Sequence, residues 1–332
     1  MKVLVRAPFW PSALERLRQK LDVTYESWMD TNKLLSTEEF IERIQGQGID
    51  IVVVEADFIS REVFEKATKL KFLGVCRADL AFVDVKAATE RGIPVVNTPA
   101  RNAIAVAELT LGLILSLLRN IPKAHQMVSS GGWLDPTVAY FSMRGNELHG
   151  KTVGIVGFGA IGRQVAKLVS IFGTSILVYD PFVDPKKIKE AGAKPVELDD
   201  LMKGADIITL HSSTTPEAMG LISAERIALM KPTAYLINAA NAFVVDNEAI
   251  IQALKEKRIA GAAFDVFETW PVRPDSPLLK MDNVVLTPHI GGATAETVIR
   301  YSQMIVDDIE SFLKGERPKN LLNPQVWGKG AR

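Results

Sequence analysis

One cysteine, four histidines and no excess charge of either sign stand out first in this chain of 332 residues. The lone Cys76 excludes an internal disulfide framework and any cysteine-rich zinc site. It fits a reducing compartment, so the expected location is the cytoplasm. The histidines at 125, 149, 211 and 289 stand in no metal-ligand spacing, and no metal site is expected. Thirty-nine Lys and Arg balance 39 Asp and Glu, which leaves no electrostatic footprint for nucleic acid or an anionic membrane. Long apolar runs are also missing. The longest, Leu109 to Leu118, contains Gly112 and Ser116 and stops at Arg119, well short of the roughly 20 residues of a membrane span. The opening Met1-Lys2-Val3-Leu4-Val5-Arg6 meets a charge after three apolar residues, which reads as a short strand and not as the core of a signal peptide.

What is present is 47% hydrophobic and 23% charged residues, a globular composition long enough for about two domains. Val3–Arg6, Ile51–Val54 and Phe72–Val75 read as strands, with helices over Ser12–Lys20, Thr37–Ile44, Ser60–Ala67 and Val83–Arg91 between or after them. Strands alternating with helices predict a parallel sheet covered on both faces. A helix over 102–119, with Asn102 at its N-cap, precedes Pro122 and the loop Ser129-Ser130-Gly131-Gly132. At Lys151 the alternation restarts. Strands are expected at Thr152–Val156, Ser175–Tyr179, Asp206–Leu210, Ala234–Ile237, Ala260–Phe264 and Val284–Leu286, and helices at Ile161–Ile171 and Asp246–Lys257. A last amphipathic helix covers Ala295–Leu313. The fold class is α/β, with two doubly wound parallel-sheet domains.

The strongest motif is Gly157-Phe158-Gly159-Ala160-Ile161-Gly162. It follows an apolar strand and opens an apolar-periodic helix, the context that turns a weak glycine pattern into a dinucleotide-binding fingerprint. Gly157 allows the tight turn and Gly159 lets the backbone approach a pyrophosphate. Gly162 lets helix and strand pack closely, and the helix N-terminus at Ala160 and Ile161 offers amides to the anion. The next strand ends at Asp180, 18 residues after Gly162, where a carboxylate accepts ribose hydroxyls. The expected cofactor is NAD rather than NADP, since residues 181–183 hold no cation for a 2′-phosphate.

The chain resembles the D-2-hydroxyacid dehydrogenase family, which includes phosphoglycerate and glycerate dehydrogenases. The resemblance rests on Arg91-Gly92-Ile93-Pro94-Val95-Val96-Asn97-Thr98-Pro99, Ala105-Val106-Ala107-Glu108, Gly145 to Gly154, Tyr179-Asp180-Pro181 and Thr287-Pro288-His289-Ile290-Gly291-Gly292. It implies a Rossmann NAD-binding domain over 101–297, inserted into a flavodoxin-like substrate domain made of 1–100 and 298–332. It further implies catalysis between the domains and a homodimer formed through the inserted domain, with residues 102–150 as its arm.

The family uses an arginine for the substrate carboxylate and carbonyl, a histidine as acid and base, and a glutamate bonded to that histidine. This chain keeps one of the three. The Asn-x-x-Arg-Gly motif reads Asn238-Ala239-Ala240-Asn241-Ala242, and Asp-Val-Phe-x-x-Glu-Pro reads Asp265-Val266-Phe267-Glu268-Thr269-Trp270-Pro271. Asn241 and Trp270 therefore stand where the family has Arg and Glu, and His289 is retained. The expected catalytic residues are His289 and Asn241. The cofactor side adds His211, Ala239, Ala240, Asp265, Gly291 and Gly292 to the glycine loop and Asp180.

Asn241 donates hydrogen bonds but cannot balance a carboxylate. Arg77, just past a strand end, reads either as the replacement cation or as a surface ion-pair partner. Ala78 and Asp79 share its loop, where Asp79 reads either as an acceptor of substrate hydroxyls or as a turn former. Glu268 reads as a substitute partner for His289 or as a solvated acid. With Trp270, these residues predict a polyhydroxylated, sugar-derived acid as substrate. The alternative is an NAD-binding sensor or scaffold without hydride transfer.

Overall fold

The computed structural model describes residues 1–212 and 215–328. It divides into two compact units, Met1–Arg101 with Thr294–Arg332, and Asn102–Ala293.

The first unit holds a five-stranded parallel sheet of β1 (Lys2–Val5), β2 (Asp22–Tyr25), β3 (Ile51–Val54), β4 (Phe72–Val75) and β5 (Val95–Val96). Their spatial order is β2-β1-β3-β4-β5, the flavodoxin-like order. Central strands in a parallel sheet are buried on both faces, which is why Ile51-Val52-Val53-Val54 reads as an unbroken apolar run. The helix Ala295–Leu313 packs Tyr301, Ile305 and Ile309 against Val3, Val53 and Phe72. That burial ties the C-terminal segment to this unit across the whole insertion. Arg6 continues past β1 and is buried despite its charge. Its guanidinium donates to the Glu26 and Lys33 carbonyls and lies 3.5 Å from the Asp57 carboxylate.

The second unit holds seven parallel strands: β6 (Thr152–Val156), β7 (Ser175–Tyr179), β8 (Lys194–Pro195), β9 (Ile207–Leu210), β10 (Tyr235–Asn238), β11 (Gly261–Phe264) and β12 (Val284–Leu286). Their order is β12-β11-β10-β9-β6-β7-β8. Strand order reverses direction between β6 and β9, the switch point at whose carboxyl end open α/β sheets bind ligands. Two apolar layers cover the sheet. One sets Leu201, Ile227 and Leu254 against Ile208, Leu236 and Ala262; the other sets Ile114, Val165 and Val169 against Val153, Ile155 and Ile237.

Two sheets, the strands with long apolar runs and the main helices follow the sequence expectation. Three short edge or terminal strands, β2, β5 and β8, do not announce themselves. An edge strand is paired on one side only and tolerates polar residues and proline, as Pro195 in β8 shows. The helix expected over 102–119 spans Ala103–Leu118. Asn102 holds its N-cap position without a side-chain cap bond. It lies instead against Gly292, where an added Cβ would come within 3.1 Å of Asn102 Nδ2. Further helices cover Ile121–Ser129 and Pro136–Ser142. Among the described residues no single helix is long and apolar enough to cross a membrane.

Candidate active site

The glycine loop turns from β6 into the helix Ala160–Ser170, with Gly159 as its N-cap. Gly157 has φ +92°, and a Cβ there would lie 2.6 Å from the His211 carbonyl carbon and from Ser212 N. A Cβ on Gly162 would lie 2.1 Å from Gly157 O, whereas one on Gly159 would meet nothing within 4 Å. So two glycines are required by backbone contact inside the chain, and the third faces open space. Ala160 and Ile161 form the first helical turn, whose amides point out of the helix end.

Beside this turn lies a cavity of about 210 Å³ lined by Gly157, Gly159, Asp180, Phe182, His211 and Glu217, among others. Asp180 anchors the loop. Its Oδ2 accepts from Phe158 N at 2.7 Å, and its Oδ1 accepts from Phe182 N and Val183 N at 2.9 and 3.1 Å. His211, at the end of β9, is only 8% exposed. Its Nε2 lies 2.9 Å from Thr209 Oγ1. Among the described residues its Nδ1 and the Ser212 hydroxyl are buried without a hydrogen-bond partner. A cradle that a Cβ would fill, a helix N-terminus and unsatisfied polar atoms in one groove suit a dinucleotide with its phosphates and hydroxyls.

Burial pushes the His211 imidazole down to about 3. Unfolded, the same ring binds a proton near pH 6.5. Between these values the unfolded state holds one proton more than the folded state, so stability falls as pH falls below about 6.5. From pH 7.5 to pH 5 this group alone should cost about 2 kcal/mol. Urea unfolding at the two pH values reads the loss, and His211→Asn should remove that share of it. Equal pH dependence in both proteins would contradict the assignment.

The second half of the site in this unit is built from loops after β10, β11 and β12. Asn238, buried at the end of β10, accepts from Ala240 N and Asn241 N at 3.2 and 3.3 Å and donates to Asn241 O at 2.9 Å. That closed turn fixes Ala239, Ala240 and Asn241. Asn241 caps the following short helix, its Oδ1 accepting from Phe243 N at 3.0 Å. Asp265, 1% exposed, follows β11. Its Oδ1 accepts from Thr287 Oγ1 at 2.6 Å and Ile290 N at 2.9 Å, and its Oδ2 from Gly291 N at 2.8 Å. The carboxylate thus spends three bonds on the loop that carries His289. A Cβ on Gly291 would stand 3.0 Å from Asp265 Oδ2, so a side chain there would push on the acid that holds the loop.

His289 has φ +54°, and its N–H donates to Thr287 O at 3.0 Å. A histidine held in the left-handed region stores local strain of order 1–3 kcal/mol, a feature that clusters at functional sites. Its ring meets the Trp270 indole with centroids 4.0 Å apart and planes at 80°. Glu268 puts Oε1 2.9 Å from Asn247 Nδ2.

In the first unit, Arg77, Ala78 and Asp79 share one loop after β4. The Arg77 guanidinium stacks over the Phe82 ring at 5.5 Å, the Ala78 carbonyl accepts from Asn97 Nδ2 at 3.1 Å, and Asp79 Oδ1 accepts from Ala81 N at 3.0 Å. The second unit brings Trp270 against His289, Asp265 onto the loop that bears His289, and the glycine loop together with Asp180 and His211, while Asn241 lies in the turn closed by Asn238. Sequence reasoning missed Asn238, Thr209 and Thr287. Each is a small polar residue at a strand end, and nothing in its neighbours signals that its partner is a site residue.

Residues 111–291 match the family model described as D-isomer specific 2-hydroxyacid dehydrogenase, NAD binding domain. The chain is 40% identical over 325 residues to a D-3-phosphoglycerate dehydrogenase of Methanocaldococcus jannaschii, covering 97% of this chain but 59% of that protein. The chain therefore spans little more than half the length of that relative. It is 40% identical to a glyoxylate reductase of Thermofilum pendens, over 98% of this chain and 95% of the relative. Among solved structures, an NADPH-dependent glyoxylate/hydroxypyruvate reductase of Sinorhizobium meliloti, in complex with NADP and malonate, superposes with a TM-score of 0.80. It is 26% identical, with 100% of this chain and 99% of that one covered.

Proposed function

The chain belongs to the D-2-hydroxyacid dehydrogenase family and carries its NAD-binding domain, and from that premise we propose that it oxidises the CH–OH group of a small, polyhydroxylated hydroxy acid, or reduces the corresponding carbonyl. The observation that carries the reading is the construction of the His289 loop. A buried carboxylate, Asp265, spends three hydrogen bonds on the loop that holds a histidine in a left-handed backbone conformation, a kind of local strain that clusters at functional sites.

When bound, NAD supplies the hydride acceptor, or as NADH the donor. The chain's own residues hold the reactants and move the proton. The amides of the helix start at Ala160 and Ile161 would take the pyrophosphate, Gly159 leaving the backbone open to it while Gly157 and Gly162 keep the turn closed. Asp180 retains lone-pair capacity for ribose hydroxyls beside its three amide bonds. His211 and the loops bearing Ala239, Ala240, Asp265, Gly291 and Gly292 frame the rest of the cofactor. His289 takes the hydroxyl proton on oxidation and returns it on reduction. Asn241, whose Oδ1 is engaged by Phe243 N, contributes amide N–H donation to the reacting oxygen.

The substrate class follows from what stands at the family's arginine and glutamate positions. A neutral amide and an indole do not replace a guanidinium grip on a carboxylate. Amides such as that of Asn241 serve a molecule recognised through several hydroxyls. We also assign a dimer of identical chains. The helices Ile121–Ser129 and Pro136–Ser142 and the connection between them expose Val128, Leu134, Tyr140 and Phe141, an apolar surface of the kind that marks an association site.

The test is NADH formation by purified protein and NAD across sugar acids, simple 2-hydroxy acids and polyols. Turnover confined to the sugar acids is expected. Turnover of lactate or glycerate at comparable rates would reject the substrate class. Silence across the panel, with NAD bound, would reject the enzyme.

A further inference from the structure

The Sinorhizobium meliloti reductase that shares this fold is in complex with NADP, so the choice between NAD and NADP falls to particular side chains and not to the architecture. The two dinucleotides differ at one ribose, which carries a 2′,3′-diol in NAD and a 2′-phosphate in NADP. We propose that Glu217 is a specificity-determining residue of the cofactor cavity, its carboxylate accepting a ribose hydroxyl beside Asp180 and turning a 2′-phosphate away.

Asp180 is largely committed to the backbone. A carboxylate has about four lone-pair sites, and the amides of Phe158, Phe182 and Val183 occupy three of them. About one is left, whereas a diol brings two O–H donors. The second acceptor has to come from elsewhere on the cavity wall. Glu217 sits in the one-turn helix Pro216–Ala218 that follows β9, and among the described residues it is the other acid lining the cavity. Its own backbone amide and the Thr215 hydroxyl hold its carboxyl below the usual range, so it is ionised at neutral pH. No Lys or Arg is among the described residues that line the cavity, and Lys186 and Lys187 lie on the helix Pro185–Glu190 outside that lining. A phosphate monoester, with about −1.5 to −2 charges near pH 7, would therefore meet two carboxylates and no cation, while a diol meets two acceptors. The hydroxyls of Ser212 and Thr215 also line the cavity, but uncharged groups do not repel a phosphate.

The proposal rests on this cavity being where the dinucleotide lies, and its test needs no turnover. NAD and NADP are titrated into the full chain and followed by calorimetry. The parent should bind NAD at least about tenfold tighter than NADP. Glu217→Gln should move the two affinities in opposite directions. NAD should weaken by about threefold, because an amide oxygen accepts a hydroxyl less strongly than a carboxylate does, and NADP should tighten by about tenfold. Glu217→Lys should go further towards NADP. A disturbed loop would lower both affinities together and cannot produce opposite shifts. Asp180→Asn makes the contrast, since it disturbs the amide bonds that hold the glycine turn and should weaken both dinucleotides. Affinities that fall together in Glu217→Gln, or that stay as in the parent, would overturn the proposal and leave the dehydrogenase reading standing, as would a parent that binds NAD and NADP equally. A parent that binds neither would overturn the cofactor cavity with it.

Salt supplies the second readout. The ratio of the two Kd values cancels what both dinucleotides share, the pyrophosphate included. In the parent that ratio should shrink as salt rises from about 0.05 to about 0.5 M, because ions screen the carboxylates from the phosphate, and Glu217→Gln should respond less. A parent ratio indifferent to salt would place the discrimination in shape instead of charge and would overturn the role given to Glu217.

Discussion

His289→Ala is expected to lower kcat by about 10²- to 10⁴-fold, the usual contribution of a positioned acid or base, while the Kd for NAD stays where it was. The separation follows from how the loop is held. Asp265 bonds to the Thr287 hydroxyl and to the amides of Ile290 and Gly291, and none of these bonds involves the imidazole. Removing the ring therefore leaves the loop and the glycine-rich groove in place. His289→Gln keeps a side chain able to hydrogen-bond but unable to accept and return a proton, so it should fall as far as the alanine variant. Steady-state rates on the substrate found in the panel, with NAD titrated separately, decide the matter. A glutamine variant with near-parental kcat would show that the residue orients substrate without moving a proton. A parallel loss of NAD affinity would show that the ring belongs to the cofactor site.

The second large effect concerns the glycines. Gly162→Ala should lose NAD binding together with about 1–3 kcal/mol of stability, the usual cost of forcing a methyl group into a packed site. Its Cβ would stand 2.1 Å from Gly157 O. The obstacle is backbone, so the helix must lift from β6, and the turn that holds the phosphates moves with it. Gly159→Ala makes the contrast. Nothing lies within 4 Å of its Cβ position, and its φ of −70° suits any residue. The melting temperature should stay unchanged, yet the methyl occupies the space through which a pyrophosphate reaches the backbone. NAD affinity should fall by at least about tenfold, or roughly 1.4 kcal/mol. Urea unfolding and NAD titration of the two variants test the pair together. Intact NAD binding in Gly159→Ala would mean that the phosphates lie elsewhere, and a stable Gly162→Ala would mean that the strand and helix have room to spare.

Much of the cofactor side was legible in the chain because its parts are contiguous. A buried strand, a glycine turn, a helix start and an acid at the end of the next strand succeed one another within about 30 residues, the length of one βαβ unit. Their order along the chain is nearly their order in space. The expectation that Asn241 and Trp270 stand at the family's Arg and Glu positions came from reading motif positions as well. What Trp270 touches was not legible. The glycine turn also gave no hint that it closes against His211, because the two are joined only by the order of strands in the sheet.

Local spacing by itself determined the two parallel-sheet units and the glycine turn that opens the helix Ala160–Ser170; His289 as acid and base came from the family resemblance. Helical and strand periodicities bring together residues that are one to four positions apart, and hydrophobic alternation says which face they bury. The tertiary structure decided the rest. It put β9 beside β6 and so His211 against Gly157. It spent Asp265 on a loop 22 to 26 residues further on, and it laid Trp270 against His289. Each of these contacts joins the carboxyl ends of neighbouring strands. Parallel strands need a crossover of a dozen residues or more between them, so residues that meet at the sheet edge are far apart in the chain, and no short-range pattern records which will meet.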